Sequence, residues 1–346
     1  ASSRRCVAVA GTSGKSTVTA MIFQLLETSG LSPSLACGAN LPMLRRRGLI
    51  GNAWRGTSDL LVIEADESDG TLTRYSPWLG LLLNISKDHK ELSELKALFQ
   101  TFRERSKTII VNADAGLSEF EAGGLTFGFK AGAVRGENLE LTAEGCRFTV
   151  EGMPMRVNAP GRHNAENALA AVAAGRQLGL SLAQAAAGLA AFEGVGRRFE
   201  VLGSARSVEV VDDFAHNPEK VRAVLAAARL RARRVLAVFQ LHGFAPARFL
   251  KEEFLNAFSE SLRPEDALWL PDIYYVGGTA AKDISAADYA RELTARGLRA
   301  RNSPRREDII GEISSEARSG DLVLVMGARD ASLSDFAAQV LASLGS

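Results

Sequence analysis

Residues 6 to 17, Cys6-Val7-Ala8-Val9-Ala10-Gly11-Thr12-Ser13-Gly14-Lys15-Ser16-Thr17, have the types and spacing to bind phosphate. A short apolar run ends in a glycine-containing turn, and Lys-Ser-Thr then opens an amphipathic segment. Backbone N–H groups at such a strand–turn–helix junction point at phosphate oxygens, and the helix dipole favours their negative charge. Lys15 would reach the outer phosphates, and the Ser16 hydroxyl would ligate Mg²⁺. The general pattern G-x-x-x-x-G-K-[ST] calls for glycine at position 9, where this chain has Val9. The shorter loop from Gly11 to Ser16 can still wrap a phosphate; the bland alternative is a plain strand-to-helix turn.

Other polar groups cluster after apolar runs, where open α/β sheets bind ligands. Glu64 ends Leu60-Leu61-Val62-Ile63 and is placed to bind Mg²⁺ directly or through water. As one of four acids in six residues it could equally be a solvated loop carboxylate. His89 lies just past another such run, beside Asp88, and is either a metal ligand or an ordinary structural histidine. Asn164 and Asn167 share a helix face at i, i+3. Their amides could read an adenine edge, or Asn164 could cap the helix. Asp212-Asp213-Phe214-Ala215-His216-Asn217-Pro218 follows a further apolar run. A carboxylate there could grip a ribose hydroxyl; the alternative is a turn and N-cap, with Pro218 in the first helical turn.

These residues need strands and helices to hold them. Val18, Met21, Ile22, Leu25 and Leu26 recur at helical spacing after the loop. Continuous apolar runs at 60–63 and 79–83, and the run 108–112, read as strands of a parallel sheet. A helix is expected over 91–105, and 31–58 reads as loop. Short alternating segments in 123–158 suggest small antiparallel strands. The block Pro160 to Asn167 then leads into an Ala-rich helix through about Leu178, and a second helix covers about 181–192. Gly194-Val195-Gly196 marks the expected boundary and hinge, giving domains 1–194 and 195–346. Beyond it, strands at 208–211, 235–239, 267–270 and 322–326 alternate with helices near 218–229, 246–262, 285–296 and 332–344. That alternation predicts a second, Rossmann-like α/β domain. The expected fold class is α/β: a phosphate-loop parallel-sheet domain with a small antiparallel section, then the Rossmann-like domain.

Composition narrows the partners. The 346 residues carry 41 basic and 40 acidic side chains, which argues against nucleic-acid or membrane binding. Three cysteines without CxxC spacing suit a reducing, cytoplasmic setting. The chain has no initiating Met and enters its first core run within six residues, so a preceding domain is expected in the whole protein.

Taken in order, seven blocks resemble the Mur ligase family of ATP-dependent amide ligases, from Gly11 to about Leu344. They are Gly11 to Thr17; Glu64-Ala65-Asp66-Glu67-Ser68-Asp69; Asn84 with Asp88-His89; Gly161 to Ala168; Gly194 to Glu200; Asp212 to Pro218; and Phe239-Gln240-Leu241-His242. The blocks are nearest the family's alanine-adding and recycled-peptide-adding branches. The resemblance implies that Gly11, Thr12, Ser13, Gly14, Lys15, Ser16 and Thr17 hold the β- and γ-phosphates of ATP, with Ser16 on Mg²⁺. It further implies that Glu64 and His89 serve a second metal position, that Asn164 and Asn167 contact adenine, that Arg198 reaches the phosphates on closure, and that Asp213 takes the ribose. His216 is a candidate for positioning the amine.

The implied reaction joins an amino acid or peptide to a carboxylate, such as that of a UDP-muramyl precursor, through an acyl phosphate. The family's UDP-binding N-terminal domain does not lie within these residues. Three departures stand out. Ser13 replaces the usual histidine of the alanine-adding branch, Gly243-Phe244 replaces an Arg-Tyr pair after His242, and Phe99 falls near the place of a carbamylated lysine, so no carbamate is expected. Rival readings are an amide ligase acting on a non-peptidoglycan carboxylate and a non-catalytic nucleotide-binding regulator.

Overall fold

The computed structural model describes residues 5–68, 70–86, 91–121, 123–277, 279 and 281–345. The chain forms two units, Ala1–Gly196 and Arg197–Ser346.

In the first unit, β1 (Arg5–Ala10) leads through the glycine loop into α1 (Lys15–Thr28). Then come β2 (Ser34–Ala36), α2 (Pro42–Arg45), β3 (Ala53–Trp54), β4 (Leu60–Glu64), β5 (Leu79–Leu82), α3 (Leu92–Arg105), β6 (Thr108–Asn112) and β7 (Leu125–Gly128). β8 (Val134–Leu141), β9 (Cys146–Val150), β10 (Met153–Val157), α4 (Arg162–Gln177) and α5 (Leu182–Ala190) complete it. Among the described residues these strands make one sheet in the order β10-β9-β8-β7-β6-β5-β1-β4-β2-β3.

β1 lies between β4 and β5, parallel to both, so the loop leaves the middle of the sheet. A strand covered on both faces must be apolar where it is covered, and β1 is from Cys6 to Ala10. Val7 and Val9 face one core, with α1, α4 and α5. Cys6, Ala8 and Ala10 face the other, with Leu95, Phe99 and Phe102 of α3. The predicted stripe of α1 is wholly buried. Truncating Leu25 to alanine there would cost about 2–5 kcal/mol.

Two expectations for this unit change. Residues 31–58 are not plain loop: β2 pairs in parallel with β4, and β3 pairs antiparallel with β2. Burial of Leu35, Leu41 and Leu44 fixes that excursion. In 123–158, β7 continues the parallel sheet from β6 and pairs in parallel with β8; only β8, β9 and β10 are antiparallel. The antiparallel section is therefore continuous with the main sheet.

The second unit runs β11 (Glu200–Ala205), β12 (Val208–Asp213), α6 (Pro218–Arg229), β13 (Val235–Gln240), α7 (Phe244–Phe249), α8 (Lys251–Ser261) and β14 (Ala267–Leu270). It ends with α9 (Ala286–Ala295), β15 (Ala300–Asn302), α10 (Arg306–Glu316), β16 (Leu322–Gly327) and α11 (Ser332–Gly345). The sheet order is β11-β12-β16-β13-β14-β15, parallel except for β11. α6, α8 and α9 cover one face, and α10 and α11 the other. The helix expected over 246–262 is two helices that meet at Leu250, whose φ of −107° interrupts the helical path. No helix among the described residues is long and apolar enough to cross a membrane.

Candidate active site

The glycine loop is fastened to the segment after β5. Thr12 N donates to the Asn84 carbonyl at 3.1 Å. Asn84 clasps Ser13 from both sides: its Oδ1 accepts from Ser13 N at 2.8 Å, and its Nδ2 donates to the Ser13 carbonyl at 3.0 Å. Ser86 N donates to Thr12 Oγ1 at 3.0 Å, and that hydroxyl donates to the Ser86 carbonyl at 3.2 Å. The amides of Thr12 and Ser13 are thus spent on Asn84, which narrows the anion-facing amides to the start of α1. There Gly14 is the N-cap with φ +89° and no side-chain cap, so the first amides of α1 have no carbonyl within the helix. A Cβ on Gly14 would stand 2.4 Å from Asn167 Oδ1, so glycine is required by conformation and by space.

Lys15 folds back over this loop. Its Nζ donates to the Gly11 carbonyl at 2.9 Å and to Glu67 Oε2 at 2.7 Å. Ser16 and Thr17 are buried in the first turn of α1. Glu64, at the end of β4, pairs in register with Val9 of β1. Its Oε2 accepts from Gly38 N at 2.8 Å, and the Cys37 thiol touches both that oxygen (3.7 Å) and the Ser16 carbonyl (3.6 Å). Ser16 and Glu64 therefore flank one thiol. The Ser16 hydroxyl and the Glu64 carboxylate are hard oxygen donors of the kind Mg²⁺ takes, but among the described residues no group of three or more His, Cys, Asp or Glu side chains comes together as a metal site. His89 and Asp88 lie outside the described residues.

Asn164 and Asn167 sit on one buried face at the start of α4. Asn164 does not cap the helix; its Nδ2 donates back to the Pro160 carbonyl at 2.8 Å, and Asn167 Nδ2 donates to Asn164 Oδ1 at 3.4 Å. Asn167 lies against Gly14, which sets this amide pair beside the phosphate loop.

In the second unit, Asp213 ends β12. Its Oδ2 accepts from Phe199 N at 2.6 Å and its Oδ1 from Ala215 N at 2.7 Å. Burial raises its carboxyl above the ordinary range, against the opposing pull of Arg198 and the two amides. The Arg198 guanidinium lies 4.6 Å from the centre of the Phe214 ring and donates to the Arg197 carbonyl at 3.0 Å. Arg197 and Phe199 both hold left-handed backbone, φ +55° and +51°. Bulky residues there cost on the order of 1–3 kcal/mol each. Arg197 is held by Asp212 in an ion pair at 3.2 Å and by the Gly327 carbonyl at 2.8 Å, which offsets that strain.

His216 Nδ1 lies 2.9 Å from the Phe214 carbonyl, and its Nε2 lies 3.3 Å from Lys220 Nζ. An ammonium can only donate, so Nε2 accepts and Nδ1 carries the proton. The ring also meets His242 edge-on at 5.6 Å. Asn217 caps α6 through Lys220 N, as the turn-and-cap reading expected.

Sequence reasoning passed over several partners. Nothing local in the sequence marks Glu67 as the counter-ion of Lys15, or Ser86 as the residue that grips Thr12. Arg306, at the start of α10, donates to Gln240 Oε1 at 2.8 Å and pairs with Asp330. Only the parallel register, which sets Gln240 beside Gly327, brings these residues together.

The architecture is that of a phosphate-loop α/β domain followed by a Rossmann-like α/β domain. Family models agree: the Mur ligase middle domain matches residues 9–175, and the Mur ligase glutamate ligase domain matches residues 197–329. The UDP-N-acetylmuramate–L-alanine ligase of Gloeobacter violaceus is 35% identical over 340 residues, covering 94% of this chain and 71% of that protein. The protein of the same name from Trichormus variabilis is 36% identical over 346 residues, covering 93% and 68%. Among solved structures, the UDP-N-acetylmuramate–alanine ligase of Thermotoga maritima superposes with a TM-score of 0.79 at 24% identity, covering 98% of this chain and 75% of that one. The Thermotoga maritima MurF ligase, solved in complex with ADP, gives 0.75 at 19% identity, covering 99% and 80%. This chain belongs to the Mur ligase family.

Proposed function

We propose that the chain is an ATP-dependent ligase that joins the amine of an amino acid or peptide to the carboxylate of a UDP-N-acetylmuramate-type precursor, in the cytoplasm. The observation that carries this reading is Lys15, held over a glycine loop at the uncapped N-terminus of α1 with Glu64 on the neighbouring strand. Relatives at about 35% identity name the substrate class.

In this reading a carboxylate oxygen attacks the γ-phosphorus and the bond to ADP breaks, giving an acyl phosphate. The amine then attacks the acyl carbon, loses a proton, and inorganic phosphate leaves. Lys15 and the first amides of α1 offset charge on the transferring group. Ser16 and Glu64 would hold Mg²⁺, which supplies further charge neutralisation. Arg198 and Asp213 are proposed nucleotide ligands from the second unit, Asn164 and Asn167 are proposed at adenine, and His216 at the amine.

The test is ADP and phosphate release with each substrate withheld in turn. Turnover only when carboxylate and amine are both present is expected, and Lys15→Ala should lose about 10²–10³-fold in rate. Near-normal turnover in Lys15→Ala would overturn the assignment, and ATP binding without any turnover would favour a regulator.

A second reading, an amide ligase for a non-peptidoglycan carboxylate, is favoured by Gly243-Phe244, with Phe244 packed edge-on against Tyr275 at 5.1 Å. A screen of carboxylates at fixed amine separates the two.

A further inference from the structure

The segment 84–86 runs against the glycine loop and consumes its polar groups in pairs, as the bonds of Asn84 to Ser13 and of Ser86 to Thr12 show. Two hydroxyls are left over. Ser13 Oγ and Ser86 Oγ are buried and have no hydrogen-bond partner among the described residues. Ser86 as a whole is 8% exposed. A buried hydroxyl without a partner costs stability, and one that lies beside a binding loop can recover that cost when a ligand accepts its hydrogen bond. Both flank Thr12: Ser13 follows it in the chain, and the Ser86 backbone grips its side chain.

What would complete them follows from the same bonds. A phosphate loop ordinarily offers its backbone amides to the anion, yet here the Thr12 and Ser13 amides are given to Asn84. Side-chain O–H donors beside those residues can supply what the N–H donors do not. We propose that the Ser86 hydroxyl, together with Ser13 Oγ, donates to a phosphate oxygen of the bound nucleoside triphosphate. Ser86 is thereby a phosphate-binding residue contributed from outside the glycine motif. The proposal rests on the nucleotide-binding reading of the loop.

The experiment compares Ser86→Ala and Ser13→Ala with the unsubstituted protein by thermal unfolding without ligand and by calorimetric titration with Mg²⁺ and a non-hydrolysable ATP analogue. Ser259→Ala is the control, because Ser259 Oγ in α8 is also buried without a partner but lies in the other unit. All three variants should unfold at the same or a higher temperature than the parent, since each loses only an unsatisfied group. Ser86→Ala and Ser13→Ala should bind the analogue about tenfold more weakly or worse, and Ser259→Ala should bind it unchanged. A lowered unfolding temperature in Ser86→Ala would show that the hydroxyl already has a structural partner and would overturn the proposal. Unchanged affinity in Ser86→Ala, with the parent binding normally, would overturn it alone. Absence of binding by the parent would overturn the nucleotide reading and the proposal with it.

Discussion

Lys15 Nζ and Glu67 Oε2 lie 2.7 Å apart, with only 10% and 8% of their side chains exposed. The cation assigned to phosphate is thus already neutralised by an acid from the turn after β4. An arriving polyphosphate must take Lys15 from Glu67, which leaves a nearly buried carboxylate facing added negative charge. Glu67→Gln should remove that competition. We expect this variant to bind ATP about tenfold more tightly than the parent when Mg²⁺ is chelated, measured by titration calorimetry in EDTA. Weaker or unchanged metal-free binding would show that Glu67 does not compete with phosphate.

Gly14 and Gly30 both have left-handed backbone, at φ +89° and +76°, but only Gly14 has a neighbour in the way of a side chain. Gly30→Ala should cost about 1 kcal/mol from backbone strain alone. Gly14→Ala should cost more and also weaken nucleotide binding at least tenfold, because Asn167 must move. Urea unfolding and a nucleotide titration on both variants check this; equal effects would refute the packing argument.

Burial raises the Asp213 carboxyl above its ordinary range. The sign follows from linkage: the folded state favours the protonated acid. This group's contribution to stability is therefore fully present below the unfolded-state value near 4 and is lost as pH rises through the higher folded value. Carbon-detected NMR titration of the folded protein should place the Asp213 carboxyl above ~4. A midpoint at or below that value would contradict the burial seen here.

Cys6 and Cys146 are buried, and desolvation pushes their thiols up to about 11 and about 12. Neither should be thiolate near neutrality. Both should resist a disulfide-exchange reagent at pH 8 until denaturant is added, when they should react at ordinary rates. Rapid labelling of either cysteine in the folded protein would count against this packing.

Legibility in the sequence followed the range of the interactions involved. β1, β4, β13 and β16 are legible because strands sandwiched between helices carry continuous apolar runs, and α1 because Val18, Met21, Ile22, Leu25 and Leu26, all buried, repeat at helical spacing. β11 gave no such signal, being half-exposed with a bulge between Val201 and Gly203. β15 is only three residues, and α10 buries just Ile309 and Ile313. At the candidate site, Gly14, Lys15 and Ser16 were readable as one local motif. The pairing of Glu67 with Lys15, the grip of Ser86 on Thr12, and the hold of Arg306 on Gln240 span 52, 74 and 66 residues. Only the sheet register makes such pairs, and nothing local encodes them.

The wide sheet of the first unit finishes at β3, which contributes just Ala53 and Trp54. A border that short offers an incoming strand almost no ladder to extend on that side. An insertion lengthening β3 with β-branched residues should make the protein prone to polymerise, with catalysis as the lesser casualty.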